Sequence, residues 1–305
     1  MRGPRQRARG LHRTVVLIVL LALTVLLVPD SGVHPVTLRL DKIESAKHVD
    51  FDSDTVWFLV LGSDARPGEG VTDGRADAIQ LVGINGRTQS AVGIGIPRDS
   101  WVELPGHGMD RINAGLPVGG PELMARAVED LVGIAPDYVL VAGFDGFKAM
   151  MDAIAEVEVI SPRRFHDEEY DLTVRRGVNR FDPTEALSYA RTRDLPGSDF
   201  ERSANQQRLM LGILRQMRAH EDDEGFMEQG SLAALKGLDT NLEPTELYRL
   251  AQAVTQIEPR TVTVCVVGGT PDDINGASIV RVDAEQAQRL GHDARNDARL
   301  DEGCR

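Results

Sequence analysis

The stretch from "VWFLVLG" to "AIQLVGINGRTQSAVGIGIPRDS" leaves this chain few folds to adopt. It holds three apolar runs, Val56–Gly62, Ala78–Ile84 and Ser90–Ile96. Each has the length of a buried strand rather than a helix. Asn85-Gly86 stands between the last two and is a strong signal for a tight hairpin, so these strands pair antiparallel. Further on, strands and helices alternate. Asp137–Phe144 reads as a strand, Asp145–Ile154 as a helix with Asp145 at its N-cap, and "VEVI" as a short strand. Interleaving of this kind, with a hairpin in it, predicts an α/β fold, an α-β-α sandwich whose central mixed sheet is flanked by helices.

The helix boundaries are marked chemically. Pro121 suits the first turn of a helix over Pro121–Val132, and Gly133 suits its C-terminal cap. Asp182 followed by Pro183 reads as an N-cap and first helical residue. The longest helix is predicted over Asp199–His220, where Leu209, Met210, Ile213, Leu214 and Met217 keep helical spacing. A solvated loop at Glu221–Gly225, two shorter helices and the strands "TVTVCVV" and "SIVRV" complete the chain.

The N-terminus divides from the rest by charge. Met1–Arg13 carries five Arg and no acid, and Thr14–Val28 is a run of fifteen apolar or weakly polar residues. The run fits a signal-peptide core or a signal anchor. Its exit, "PDSGVHP", has no A-x-A-like cleavage site, which favours the anchor. The domain organisation expected is a cytoplasmic basic segment (1–13), a single-pass transmembrane anchor (14–29), a juxtamembrane linker (30–53) and an extracytoplasmic domain (54–305). Against the whole chain's −13, the other 292 residues carry −18. So acidic a domain is a poor partner for nucleic acid, whose phosphates need clustered basic groups. In an oxidising compartment the two cysteines, Cys265 and Cys304, either join, tying the C-terminal tail to a strand, or stand as separate thiols.

Acids and arginines collect where strands and helices end. Asp64 and Arg66 follow the first strand, Arg75 and Asp77 precede the second, and Arg98-Asp99 ends the third. Arg191 and Arg193 close one helix, while Asp199, Arg202 and Gln206 open the next. Taken singly, each fits a turn cap or a weak surface ion pair. Together they present Arg forks that match phosphate oxygens and carboxylates of the kind that hold magnesium. Gly93 and Gly95 leave room for close approach, and Pro97 is a stiff hinge that aims Arg98. Other templates fail. There is no G-x-x-x-x-G-K-[ST] loop, G-x-S-x-G elbow or H-E-x-x-H pair, and no His is placed to serve Ser63 or Ser100.

The order of these motifs resembles the LytR–CpsA–Psr family. The segments that carry the likeness are "LVLGSDARPGEGVTDGRADAIQLVGI", "IGIPRDSWVELPGHGMDRINAGLP" and "EALSYARTRDLPGSDFERSANQQRLMLGIL". The resemblance implies a membrane-anchored enzyme of the bacterial envelope. It implies transfer of a glycopolymer from a polyprenyl-pyrophosphate carrier to peptidoglycan, with a hydrophobic pocket for the lipid tail. Asp64 and Asp77 would hold a magnesium (or manganese) ion. Arg75, Arg98, Arg191, Arg193 and Arg202, with Gln206, would hold the pyrophosphate, and Asp199 and Arg66 would support them. Asp99 would either orient Arg98 or assist the acceptor hydroxyl. Val139, Val141, Phe144, Phe147, Met151, Leu209, Ile213 and Leu214 would line the pocket. Asn205 stands where the family commonly has Arg, Arg111 where a Lys is frequent, and Ala155-Glu156 where Gly-Gly is common. Two rivals to transfer are a lipid-pyrophosphate scaffold without transfer activity and a polyprenyl-pyrophosphate hydrolase.

Overall fold

The computed structural model describes residues 37–43, 55–66, 68–193, 195–220, 238–243, 246, 250, 254 and 256–304. The basic head, the anchor run, the loop at 221–225 and most of the two helices expected after it lie outside the described residues. In chain order the strands are β1 (Leu38–Lys42), β2 (Val56–Ser63), β3 (Ala76–Asn85), β4 (Ser90–Gly95), β5 (Trp101–Leu104), β6 (Gly108–Arg111), β7 (Tyr138–Ala142), β8 (Val157–Ser161), β9 (Phe165–Asp167), β10 (Leu172–Val174), β11 (Gly177–Phe181), β12 (Leu238–Thr240), β13 (Val262–Val266), β14 (Gly269–Ile274) and β15 (Ala277–Val282). The helices are α1 (Gly115–Val132), α2 (Phe144–Ile154), α3 (Pro183–Arg191), α4 (Ser198–Ala219) and α5 (Ala284–Ala294).

Seven strands make the central sheet, in the order β12-β1-β7-β2-β3-β4-β13. The β2-β3-β4 meander is antiparallel, as the Asn85-Gly86 turn requires, while β13 joins β4 and β7 joins β2 in parallel. The sheet is therefore mixed. One expectation from the sequence is corrected. Leu38–Lys42, inside the expected linker, forms β1 and pairs with β7 and β12, its apolar Leu38 and Leu40 alternating with charged Arg39 and Asp41. The "VEVI" and "SIVRV" segments form strands as read, and they pair outside the central sheet, with β11 and β14.

Strand alternation gives the two faces of the sheet different fates. Trp57, Leu59, Leu61, Ile79, Leu81, Val139 and Val141 point to one side and form a packed core with Met124, Val128 and Val132 of α1 and Leu290 of α5. Their neighbours Phe58, Val60, Val82 and Leu140 point to the other side and, with Met210, Leu211 and Leu214 of α4, line a cavity of about 740 Å³. Adjacent residues therefore predict different costs. Leu81→Ala, in the packed face, is expected to lose about 2–5 kcal/mol of stability. Val82→Ala removes atoms that have few partners on one side and is expected to lose under about 1 kcal/mol. Urea unfolding of both variants measures the contrast.

The helix ends mostly follow their residues. Pro121 begins a regular helix after a kink at Gly120, and Gly133 caps it. Asp182 accepts from the N–H groups of Thr184 and Glu185, and Glu185 reaches back to Asp182 N–H, closing a capping box. Asp145 is not an N-cap: α2 starts one residue earlier, with Gly143 capping and Asp145 in the first turn. There its charge still faces the positive end of the helix dipole. Cys265 and Cys304 form a disulfide that ties the tail to β13 across 39 residues. Closing a loop of that length removes unfolded-chain entropy worth about 4 kcal/mol.

Candidate functional site

The site begins with an irregularity in the sheet. Gly62 pairs with Ala78 but Ser63 pairs with Ala76, so Asp77 is the extra residue of a β-bulge. A bulge re-aims a side chain at a strand end, and here it turns Asp77 toward arginines. Arg98 Nη1 forms an ion pair with Asp77 Oδ1, and Arg193 Nη2 lies 3.5 Å from Asp77 Oδ2. Asp64 is held beside the bulge by two contacts with Arg75: its N–H donates to Arg75 O at 3.0 Å, and its Oδ1 accepts from Arg75 N–H at 2.6 Å. The loop closes this tightly because residue 74 has no side chain. A Cβ at Gly74 would lie 2.2 Å from Ala65 N.

Pro97 aims the next group by starting a turn. Its carbonyl accepts from Ser100 N–H at 3.0 Å and from Ser100 Oγ at 2.7 Å. Arg98 leaves that turn with its side chain 16% exposed, and its Nε stands 3.6 Å from Asp99 and 3.7 Å from Asp199. Burial weakens the hold of the Arg98 guanidinium on its proton, but Asp77, then Asp99 and Asp199, outweigh this and keep it above its ordinary value. Asp99 is pushed above the usual carboxylate range by burial and then by Asp199, against the pull of Arg98. Arg111 at 3.8 Å and Asn113 Nδ2 at 3.4 Å also face the Asp99 carboxylate.

The first turns of α4 supply the other wall. Arg202, 3% exposed, pairs with Asp199 at 2.7 Å. Burial pulls its guanidinium down to about 10, with Arg98's charge adding to the pull and Asp199 opposing it. Arg202 Nη1 and Arg98 Nε are buried donors without a hydrogen-bond partner among the described residues. Buried donors in that state are rare and mark places where an anion binds well. Gln206 donates to Ala190 O at 3.2 Å and Asp77 O at 3.4 Å, bridging α4, α3 and the bulge. The helix reaches this close because residue 95 is Gly, where a Cβ would meet Ser203 Oγ at 2.4 Å. The space predicted at Gly95 therefore admits α4.

The remaining predicted residues fall in several places. Arg191 lies over the Phe144 ring at 4.4 Å and the Tyr170 ring at 5.0 Å, so two aromatic faces fix its guanidinium. Arg66 and Arg75 are exposed. Arg75 touches the site through its backbone, and Arg66 N–H donates to Glu69. Asn205 Oδ1 accepts from Arg208 Nη1 at 2.6 Å, so its side chain serves a neighbouring arginine. Ala155 and Glu156 lie between α2 and β8. Among the described residues no cluster of three or more His, Cys, Asp or Glu is grouped for a metal.

Of two residues that sequence reasoning passed over, Gln80 joins the charged cluster to the cavity and Gln207 ties α4 to β4 and β13. Both line the cavity. Gln80 Nε2 donates to Gln206 Oε1 at 3.2 Å, and Gln207 Nε2 donates to Gly93 O at 3.2 Å and Cys265 O at 2.8 Å. Of the predicted lining only Leu214 faces the cavity. Val139 and Val141 point into the packed face, Met151, Leu209, Phe147 and Ile213 pack in a satellite core under α3, and Phe144 faces Arg191.

Comparison with known proteins bears on this arrangement. Residues 34–296 match the LytR_cpsA_psr family. The chain is 34% identical over 190 residues to the probable cell wall biosynthesis protein LcpB of Corynebacterium glutamicum, covering 58% of this chain and 45% of that protein. It is 32% identical over 180 residues to the polyisoprenyl-teichoic acid–peptidoglycan teichoic acid transferase TagT of Bacillus subtilis, covering 56% of each. The chain thus spans about half the length of the curated relatives it matches. A solved structure, the LytR-CPS2A-psr family protein YwtF (TagT) with bound octaprenyl pyrophosphate lipid, has a TM-score of 0.64 at 23% identity, over 84% of this chain and 95% of that one. Likeness at that level establishes the fold, a mixed sheet between helices.

Proposed function

The chain belongs to the LytR_cpsA_psr family, and on that premise we propose that it is a phosphotransferase that moves a glycopolymer from a polyprenyl-pyrophosphate carrier onto peptidoglycan. One observation carries the reading. An apolar cavity reaches, through Gln80 on its wall and the hydrogen bond from Gln80 to Gln206, a cluster of arginines whose buried donors lack hydrogen-bond partners among the described residues. That is the arrangement a lipid tail with a diphosphate head requires. The relatives support it, TagT by its name and YwtF by its bound octaprenyl pyrophosphate. The protein would be anchored in the cytoplasmic membrane by Thr14–Val28, its five N-terminal arginines inside and the catalytic domain outside.

In the reaction, a sugar hydroxyl oxygen of peptidoglycan attacks the phosphorus nearest the glycan. A new P–O bond forms, the bridging P–O bond breaks, and polyprenyl phosphate leaves with that electron pair. The hydroxyl proton passes to the Asp99 carboxylate. Arg98, Arg193 and Arg202 neutralise charge that spreads over phosphoryl oxygens, so catalysis is largely positioning and electrostatics. Asp64 and Asp77 fit magnesium, because two carboxylates completed by phosphate oxygens and water are an ordinary donor set for it. When bound there, the ion would neutralise further phosphate charge.

Asp99 predicts a pH signature. Its raised affinity for a proton means it is still protonated somewhat above the ordinary carboxylate range. Transfer that needs it ionised is lost as pH falls through that raised value. Asp99→Asn is expected to lower transfer about 10²–10⁴-fold and to abolish this acid limb. A limb that survives the substitution would show that Asp99 only braces Arg98. The function itself is tested by incubating the detergent-solubilised chain with a polyprenyl-pyrophosphate glycan and peptidoglycan oligomers, with and without magnesium. Glycan joined to peptidoglycan supports transfer. Free sugar phosphate would make the protein a hydrolase, and tight binding without either product would make it a scaffold.

A further inference from the structure

The β8–β11 ribbon presents one face to solvent, and that face has an unusual composition. The pairing register puts Glu158 opposite Arg180, Ile160 opposite Val178 and Ser161 opposite Gly177. Glu158 and Arg180 neutralise one another at 2.9 Å. Ile160 and Val178 follow, 51% and 58% exposed, a cross-strand apolar pair open to solvent. Beyond them the ribbon meets β9 and β10, whose register opposes Phe165 to Val174. Arg164 and Arg175 flank that pair, with Arg176 next in the chain, and all three arginines are exposed. No ion pair to any of them occurs among the described residues.

These arginines sit on built loops. Asn179, buried under the ribbon, accepts from Arg175 N–H and donates to Arg175 O, both at 2.8 Å, and donates to Gly177 O at 3.0 Å. Ser161 Oγ donates to Arg163 O at 2.8 Å, and Arg163 Nη2 binds Glu201 on α4 at 2.8 Å. The acids of the β9–β10 turn, Glu168, Glu169 and Asp171, lie at the far end of that hairpin. In a chain of net charge −13, an apolar pair beside three unpaired arginines is a local reversal of the surface.

We propose that this face docks on an anionic phospholipid surface, with Ile160 and Val178 entering the headgroup layer and Arg164, Arg175 and Arg176 meeting lipid phosphates. Charge complementarity selects the occupant: an anionic bilayer offers both the negative charge and the apolar depth that the two halves of the face need. A soluble polyanion would leave Ile160 and Val178 unused. Docking through Arg163 and Glu201 would hold the first turn of α4, and with it Arg202, beside the bilayer. The proposal extends the reading of a lipid-carried donor, and its test keeps the two apart.

The full chain carrying Val178→Trp is reconstituted in brominated phosphatidylcholine vesicles with and without phosphatidylglycerol, and tryptophan emission is recorded. Emission from the introduced indole is expected to shift to the blue and to be quenched with the anionic lipid, less so at high salt. Val118→Trp, at an exposed position on α1, is expected to show neither change. Reversing Arg164, Arg175 and Arg176 to Glu is expected to lower the docked fraction relative to the undocked about a hundredfold or more. Quenching no greater than for Val118→Trp, equal quenching without anionic lipid, or a shift produced only by soluble polyphosphate would each overturn the proposal. Transfer from a short-prenyl, water-soluble donor is measured on the same variants. Docking lost with this transfer intact confirms the surface. Transfer absent from the parent chain, with docking present, overturns the catalytic reading and leaves the surface standing.

Discussion

Arg98→Ala is expected to lower transfer at least about a hundredfold, the loss typical of removing one preorganised donor to a developing anion. Arg98 is where the site converges. It pairs with Asp77, and its Nε stands 3.7 Å from Asp199 and 3.6 Å from Asp99, too far to donate a hydrogen bond to either. Truncation removes that donor and leaves three carboxylates facing one another. Stability is therefore expected to fall as well, toward about 3 kcal/mol, because the surviving partners of a largely buried pair keep their desolvation cost. Arg98→Lys separates the two effects. It restores the charge and most of the stability, but not the planar fork, so transfer stays low. Circular dichroism establishes which variants are folded, and a folded Arg98→Ala with near-normal transfer ends the assignment.

Gly93→Phe is expected to weaken use of long-chain donors about a hundredfold or more while leaving the protein at least as stable. Gly93 lines the cavity, and a Cβ there would make only an ordinary contact of 3.4 Å with Val264 and a looser one with Gln207. The ring would extend into space that the lipid tail needs. Displacing four methylenes of tail forfeits about 3 kcal/mol at about 0.8 kcal/mol each, which is roughly a hundredfold in affinity. KM for a long polyprenyl donor should rise by at least that factor. A short-prenyl donor, which does not reach Gly93, should react as with the parent chain. An equal loss for both donors would place the tail elsewhere.

The charged cluster was legible because strand ends in such sheets converge on one rim. Arg98, Asp99, Asp77, Arg193, Asp199, Arg202 and Gln206 all came together there. The bulge that turns Asp77 inward was not legible, since no residue between Gly62 and Ala78 announces the slipped pair. Nor was the cavity wall. Tyr138–Ala142 is apolar on both faces, so periodicity cannot say whether Val139 or Leu140 looks into the cavity. Arg191 lies at the end of α3, as its sequence context implies, but its partners Phe144 and Tyr170 come from separate elements that spacing does not connect. β1 is not legible, because a strand of five residues with charges among its apolar positions resembles a linker until its partners are known.

Those partners have a consequence for how the chain acquires its shape. β1 lies inside the sheet, yet it can pair only with β7 and with β12, the latter about 200 residues downstream. The opposite edge waits for β13 to reach β4. Within the central sheet, only the β2-β3-β4 meander can assemble from neighbouring sequence. Both flanks of the sheet must then pay loop-closure entropy before any contact rewards it, which makes folding slow. A chain built this way emerges with β1 unpaired, and it completes the cavity wall only when its last third has arrived.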